Sequence, residues 1–575
     1  MATQKRWRFA PLPPHGVIAD YETCGIHPIL AQILYQRGFT DPTEAQAFLR
    51  GESSLGDPFK LKGMAAAVAR IRTAIKRREV IIVYGDFDAD GVTSTALLVS
   101  VLRALGANVR EYIPDRVDEG YGLNDAALIA LAKAGAKLVI TVDCGIRSLH
   151  EVETGIRAGL DMIVTDHHSV GLEIPRATAV INPKQAGCKG EPMLAGVGVT
   201  FKLASALIKA AIQQDRWQPT ITPDDLLDLV ALGTVADLVP LDRPENRALV
   251  AGGLARLREA KRPGVRALLD AAGLAPDKVD TTAIGFILAP RINAAGRLRH
   301  ARLAYELLIS DDPLFLSERA KQLSDLNEER QRLTRQMHDF ARTHAGLDVL
   351  ERGTAVPLIF AADADFIQGI VGLVAGRLTE EFYRPSIVVH YDAEKGESHG
   401  SCRSIAEFDI TAALDQCADL LIRHGGHAQA AGFAIHNDNL PHFREHMMGI
   451  AEASLRGLTL QPSLAIDADI PLAAADGALY EALQLLQPCG NSMTVPILSS
   501  RRLKVLEARG VGKDNAHLKL SFTDGKLIRH GIAFRMGERA EGLPPLIDLA
   551  YELVLNEWNG NQRLEFIIQD IRPSE

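Results

Sequence analysis

The sequence predicts a multidomain α/β protein: a doubly wound parallel-sheet domain, a smaller α/β domain joined to it by a long helix, and a small C-terminal β domain closing as a barrel. Three observations predict it. A chain of 575 residues is too long for one hydrophobic core. Apolar β-branched runs alternate with helical spacing over residues 63–200 and again after 356. From about 460 the helical spacing gives way to short alternating stretches typical of antiparallel strands.

Composition narrows the class. A hydrophobic content of 47% with 23% charged residues is that of a globular protein. No long uncharged apolar stretch is available to span a bilayer, and the first residues lack the apolar core of a secretory signal. The six cysteines (24, 144, 188, 402, 417 and 489) are scattered without a C-x-x-C pair, which predicts reduced thiols in a cytoplasmic protein. A net charge of −9 argues against coating nucleic acid through bulk positive charge, while leaving room for a local basic groove.

In chain order, residues 1–62 read as a helical lead-in with helix starts at Pro28 and Pro42. Residues 63–310 form the first α/β domain, with strands expected at 80–84, 108–113, 137–142, 162–165 and 178–181 and a helix from 92. A helix over 224–239 ends near Asp237 before Pro240. Residues 311–346, polar and almost free of Gly and Pro, read as an exposed connector helix. Residues 347–455 form the second α/β domain and 456–575 the β domain.

The chemistry concentrates where strands end. The run 80–84 stops at Gly85-Asp86-Phe87-Asp88-Ala89-Asp90-Gly91, and later strands end at Asp115-Arg116, Asp143 and Asp166-His167-His168. In doubly wound sheets ligands bind beyond these carboxyl ends. Alternating carboxylates after a buried strand repel one another and need a cation. Leu97 at the twelfth position and the preceding strand exclude an EF-hand. An aspartyl-phosphatase motif of the haloacid dehalogenase type and a two-metal carboxylate cluster both fit Asp88-Ala89-Asp90. Neutral imidazole ligates metals well, and a neighbouring carboxylate sets its tautomer, so the Asp-His-His run favours the metal site. Arg116, Arg291, Arg297 and Arg403 lie beside turns or glycines, where guanidinium groups suit bidentate phosphate binding.

These motifs, in this order, resemble the DHH phosphoesterases. The fuller set resembles the single-strand-specific DNA exonucleases of that family: Asp115-Arg116-x-x-Glu119-Gly120-Tyr121-Gly122, Leu194-Ala195-Gly196-Val197-Gly198-Val199, Pro290-Arg291-Ile292-Asn293-Ala294-Ala295-Gly296-Arg297 and Gly425-Gly426-His427-x-x-Ala430-Ala431-Gly432. The similarity runs from about residue 27 to 570. The resemblance implies two Mn²⁺ or Mg²⁺ ions held by Asp88, Asp90, Asp143, His167 and Asp237, with Asp143 bridging. It implies supporting roles for Asp86 and Asp166, and His168 near the scissile phosphate. Arg116, Arg297, Ser401 and Arg403 would surround the terminal phosphate, with Arg291 and His427 as further DNA contacts.

The implied activity is metal-dependent 5′→3′ hydrolysis of single-stranded DNA to mononucleotides, in repair and recombination. The alternatives are a DHH phosphodiesterase of oligoribonucleotides or cyclic dinucleotides, and a non-catalytic replication scaffold. The C-terminal barrel counts against the first and the retained acids against the second. The barrel would be an oligonucleotide-binding (OB) fold with Trp558 as a candidate base-stacking residue. Implied partners are single-stranded DNA, a RecQ-type helicase and a single-strand-binding protein, with the chain itself a monomer away from membranes. Three positions depart from the family pattern. Tyr84 stands where some relatives have a histidine ligand, Phe366-Ile367 replaces a Trp-His pair, and Cys489-Gly490 alters the segment before the barrel.

Overall fold

Five strands in a single parallel sheet carry the acid-tipped loops of the first domain in this computed structural model, which describes residues 5–51, 55–215, 218, 220–344, 356–558 and 561–574. A short strand β1 (Arg6–Phe9) precedes them; the five are β2 (Val80–Tyr84), β3 (Asn108–Tyr112), β4 (Ala136–Val142), β5 (Asp161–Thr165) and β6 (Ala179–Ile181). Their order is β3-β2-β4-β5-β6, every pairing parallel. The order reverses between β3 and β4, on either side of β2. That switch point opens a crevice at the carboxyl ends of β2 and β4, where Asp86, Asp88, Asp90 and Asp143 lie. Both sheet faces are covered: Ile81 and Val83 enter the main core, whereas Ile82 and Tyr84 enter a second apolar cluster behind the sheet.

The helix expected from 92 spans Ala89–Ala104, because Asp88 caps it by accepting from the amides of Asp90 (2.9 Å) and Gly91 (3.1 Å). Gly91 permits a close approach: a Cβ there would lie 2.6 Å from the Asp86 backbone oxygen. The helix expected over 224–239 is a 3₁₀ turn, Pro223–Leu226, followed by an α-helix Leu227–Ala236 that ends at Asp237.

The long helix Pro313–His344 runs from the first domain to the second. It is not wholly exposed: Leu316, Ala320, Leu323, Met337 and Ala341 are buried against the bodies it joins. The expected boundary at 346/347 lies outside the described residues. The second domain is a mixed sheet ordered β10-β11-β9-β8-β7, built from β7 (Ile359–Asp363), β8 (Ser386–His390), β9 (Glu397–Arg403), β10 (Leu421–His427) and β11 (Ala430–His436). The glycine-dense stretch forms the β10–β11 hairpin.

After β12 (Ser463–Ile466) and β13 (Ala468–Asp469), strands β14 (Leu498–Val511), β15 (His517–Thr523), β16 (Ile528–Ala533), β17 (Leu546–Trp558) and β18 (Asn561–Pro573) close into a barrel through the β14–β17 pairing. Two pairings depart from the expected antiparallel pattern: β16 runs parallel to β18 within the barrel, and the short β13 runs parallel to β14 at its edge. The lead-in also holds more than helices. Its strand β1 pairs in parallel with β12, and Trp7 donates from Nε1 to Asp570 at 2.8 Å, fastening the N-terminus to the barrel. All six cysteines are free thiols, and among the described residues no helix is long and apolar enough to cross a membrane. The Trp558 side chain lies outside the described residues.

Candidate active site

The loop after β2 is shaped by hydrogen bonds to the backbone, which leave its carboxylates aimed at one another. Asp90, 1% exposed, accepts from the amides of Gly196 (2.7 Å, to Oδ2) and Val197 (2.8 Å, to Oδ1). Those amides open the helix Gly196–Asp215, whose N-terminal dipole favours an anion. Glycine is required at 196, since a Cβ there would lie 2.5 Å from Asp143 Oδ1. Asn293 accepts from the Ala89 amide at 2.8 Å and so ties the acid loop to the helix Ala289–Leu298.

Asp143 takes a left-handed backbone conformation (φ 62°) at the end of β4, a strained setting for a residue other than glycine. It brings Oδ1 to 3.1 Å from His167 Nε2. His167 Nε2 lies also 3.6 Å from Asp237 Oδ2 and 3.9 Å from Asp90 Oδ2. Asp166 is turned the other way. Its Oδ1 accepts from the amides of His167 (2.7 Å) and His168 (3.0 Å), and its Oδ2 from that of Ile146 (2.9 Å). Asp166 Oδ1 also meets His168 Nδ1 at 2.8 Å, orienting that half-exposed ring.

Ligand atoms converge in three overlapping groups, each within 4.8 Å: Asp86 with Asp88 and Asp143; Asp90 with His167 and Asp237; and Asp143 with His167 and His168. The resemblance assigned Asp86 only a supporting role, yet its carboxylate stands in the first group. Asp86 Oδ1, Asp143 Oδ1 and His167 Nε2 are buried without a hydrogen-bond partner. Burial, then repulsion from Asp88, pushes Asp86 up to about 8 and Asp237 up to about 7. Burial followed by the charge of Asp237 drives Asp90 well above the carboxylate range, and burial followed by Asp90 does the same to Asp143. Burial, aided by His168, pushes His167 down to about 3, leaving a neutral imidazole. Orphaned acceptors, crowded acids and a neutral histidine are the donor set of a divalent cation site.

Tyr84 points away from this cluster. It is fully buried behind the sheet, 4.8 Å from Tyr112 ring to ring, with its hydroxyl donating to Gly122 O at 3.3 Å.

Beside the acids, a cavity of about 530 Å³ lies between the first and second domains. Phe87, which sits between Asp86 and Asp88, shares its wall with Arg116, Arg297, Ser401, Arg403 and Arg423. The Arg116 guanidinium stacks 4.4 Å above the Phe87 ring. Arg403 donates from Nη1 to Ser401 Oγ (3.2 Å) and Cys402 O (2.8 Å). Arg297 reaches across to Gly369 O at 3.0 Å. Burial, with Arg116, Arg330 and Arg403 nearby, pushes Arg297 down to about 9. Crowded buried guanidinium groups of this kind suit a phosphate.

Two predicted DNA contacts lie elsewhere. Arg291 donates to Ser324 Oγ (3.1 Å) and Ile287 O (2.7 Å), fastening its helix to the connector; six residues from Arg297, it faces another side of that helix. His427 is exposed on β10 opposite Ala430, outside the cavity lining, to which Arg423 and His424 contribute instead. Of the altered pair Phe366-Ile367, Phe366 is core and Ile367 packs partly buried against the same apolar cluster. Tyr121, within the Glu119-Gly120-Tyr121-Gly122 motif but with no charge or ligand atom to single it out in sequence, joins the site: its hydroxyl meets His168 Nδ1 at 3.2 Å and donates to Asp143 O at 3.3 Å.

Comparison with known proteins agrees with this arrangement. Residues 80–234 match the DHH family N-terminal domain, 355–453 the DHHA1 domain and 466–570 the RecJ OB domain. The single-stranded-DNA-specific exonuclease RecJ of Bacillus subtilis is 37% identical over 100% of this chain and 72% of that protein. Its Escherichia coli counterpart is 35% identical over 95% of this chain and 96% of its own. The structure of RecJ from Thermus thermophilus in complex with Mn²⁺ superposes with a TM-score of 0.84 at 31% identity, covering 99% of this chain and 80% of that one. The same protein with Mg²⁺ gives a TM-score of 0.78. With all three domains matched and identity sustained end to end, the chain belongs to the RecJ family of DHH exonucleases.

Proposed function

We propose that the protein hydrolyses single-stranded DNA from its 5′ end to 5′-mononucleotides, using two divalent ions, Mn²⁺ or Mg²⁺. One observation carries the reading: the acid cluster and the arginine-lined cavity share a single loop, Asp86-Phe87-Asp88. Asp86, Asp88 and Asp143 would hold one ion, and Asp90, His167 and Asp237 the other, with Asp143 serving both. When bound, such ions lower the pKa of a water and offset charge on the phosphate under attack and on the leaving oxygen.

The chain's own residues do the rest. Arg116, Arg297, Ser401 and Arg403 bind the terminal phosphate, so the first internucleotide phosphate rests at the acids and the released unit is one nucleotide. Asp166 anchors His168 and raises its pKa, once burial is overcome, which favours a cationic imidazole beside the scissile phosphate. Phe87 and Tyr121 supply aromatic walls between the two sites. A covalent aspartyl intermediate is not required. In this reading the protein works as a monomer in the cytoplasm, in DNA repair and recombination, on strands exposed by a RecQ-type helicase or covered by single-strand-binding protein.

The test incubates purified protein and Mn²⁺ with 5′-phosphorylated single-stranded DNA, its 3′-labelled and 5′-labelled forms, duplex DNA and a cyclic dinucleotide. Immediate release of the 5′ label as mononucleotide, from the single strand alone, is expected. Early release of the 3′ label would overturn the polarity, and cleavage of the cyclic dinucleotide alone would move the protein to another branch of the phosphoesterases.

A further inference from the structure

We infer that Asn491, on the segment that leads into the barrel, is a positioning residue for Asp237 and thereby couples the seating of the barrel to the metal centre. The inference rests on the reading of Asp237 as a metal ligand.

Asp237 is the last residue before a strained turn. Leu238 follows it in the left-handed region (φ 56°), with its side chain 68% exposed. A non-glycine residue there is disfavoured by about 1 kcal/mol or more, so contacts from outside the turn must hold it. Those contacts come from the segment 488–493. The Asn491 side-chain amide donates to the Leu238 carbonyl, and the Leu241 amide donates back to the Asn491 carbonyl at 2.9 Å. One asparagine thus brackets the turn from both sides. Gly490 allows the approach, since a Cβ there would lie 2.7 Å from Leu241 Cδ1.

The segment is itself fixed to the first domain. Arg247, 4% exposed, donates to four successive carbonyls: Leu485 (3.1 Å), Leu486 (2.9 Å), Gln487 (2.6 Å) and Pro488 (3.2 Å). Its guanidinium stacks 4.3 Å from the Phe48 ring. Thr281 donates to the Cys489 carbonyl at 2.6 Å. Next to Arg247, buried Asn246 donates to Pro240 O (3.1 Å) and Met193 O (2.7 Å), joining the Asp237 turn to the loop whose amides hold Asp90. A shift of the segment is therefore carried to the two acids that flank His167. Among the described residues, none of those named in these contacts lines the arginine cavity, so the coupling is to the metal and not to the strand's 5′ end.

Asn491 is exposed, so replacing it leaves the core intact. The experiment titrates Mn²⁺ into full-length wild type, Asn491→Leu and Asn491→Ala, reading free Mn²⁺ by electron paramagnetic resonance, with thermal melting and turnover in parallel and Asp237→Ala as reference. Leucine keeps the size of asparagine and removes the donor. The expected result is a loss of about tenfold in affinity for one ion, at the lower end of what partners of metal ligands contribute. The Mn²⁺ needed for half-maximal turnover should rise in step, while kcat at saturating Mn²⁺ and the KM for DNA stay within about twofold of wild type. A changed melting temperature with both Mn²⁺ affinities intact would assign Asn491 a merely structural role and overturn the inference. If Asp237→Ala also left both affinities intact, the ligand reading beneath it would fall as well.

Discussion

Asp143→Asn removes one ionisable carboxyl from the acid cluster while keeping its shape, and it should move stability and activity in opposite directions. Asp143 Oδ1 has no donor and shares a 4.8 Å sphere with ligand atoms of Asp86 and Asp88. At an effective dielectric of about 20, two unit charges that far apart repel by about 3 kcal/mol. The metal-free protein relieves this by retaining protons: burial and then Asp88 hold Asp86 up to about 8 and Asp237 up to about 7. Carboxyls in the unfolded chain ionise near 4, so between there and pH 7–8 the native state binds more protons than the unfolded one. The contribution of these two groups to metal-free stability is therefore greatest at or below about pH 4. It falls by up to about 1.4 kcal/mol per pH unit for each such group as the pH rises.

Metal-free Asp143→Asn should consequently be more stable than wild type at pH 8 by about 2 kcal/mol, a rise of about 4–8 °C for the first domain. The difference should shrink at pH 5, where the wild-type acids are protonated. Added Mn²⁺ should raise the wild-type melting temperature at pH 8 and scarcely move the variant, whose turnover should drop by about 10³ or more. Differential scanning fluorimetry with EDTA or Mn²⁺ at the two pH values, paired with mononucleotide release, checks each arm. A metal-free variant that melts below wild type at pH 8, or one that Mn²⁺ stabilises as well as wild type, would refute the electrostatic reasoning.

Arg403→Ala should raise KM for 5′-phosphorylated strands by about 10- to 100-fold, the loss of a charge-assisted contact, and leave 5′-hydroxyl strands little affected; a steady-state comparison of the two substrates measures it. Gly369→Ala places a Cβ 2.2 Å from the Arg297 carbonyl, a backbone atom that cannot step aside, so the two domains must part at the cavity. A displacement near 1 Å at this point should lower kcat by about 100-fold with Mn²⁺ affinity preserved, measured by single-turnover kinetics and metal titration.

The chemistry-bearing residues were legible in the sequence because strand ends are local features. A β-branched run followed at once by Asp86, Asp88 and Asp90 announces a loop at a carboxyl end, and the same signature repeats at Asp143 and Asp166. Period and punctuation likewise placed the parallel sheet, the connector helix and the barrel, since each depends on side chains within a few residues of one another. The short strand β1 left no such trace: four residues paired with β12 acquire their structure from a partner distant in the chain.

Tertiary structure decided everything that requires distant segments to face each other. His167 meets Asp90, Asp143 and Asp237 only because the sheet order and the helix Leu227–Ala236 bring four separate loops together. At the ends of two different strands, hydrogen bonding decided the roles: Asp166, after β5, is consumed by backbone amides, whereas Asp86, after β2, keeps a free buried oxygen and joins a ligand group. Arg291 and Arg297 share one motif yet face different surfaces of their helix, and only Arg297 reaches the cavity. Sequence thus determined which side chains were available and on which strand ends they stood. The fold determined which of them converge, because the acids and His167 meet through sheet order within the first domain and the arginines through the seating of two domains, contacts no local pattern encodes.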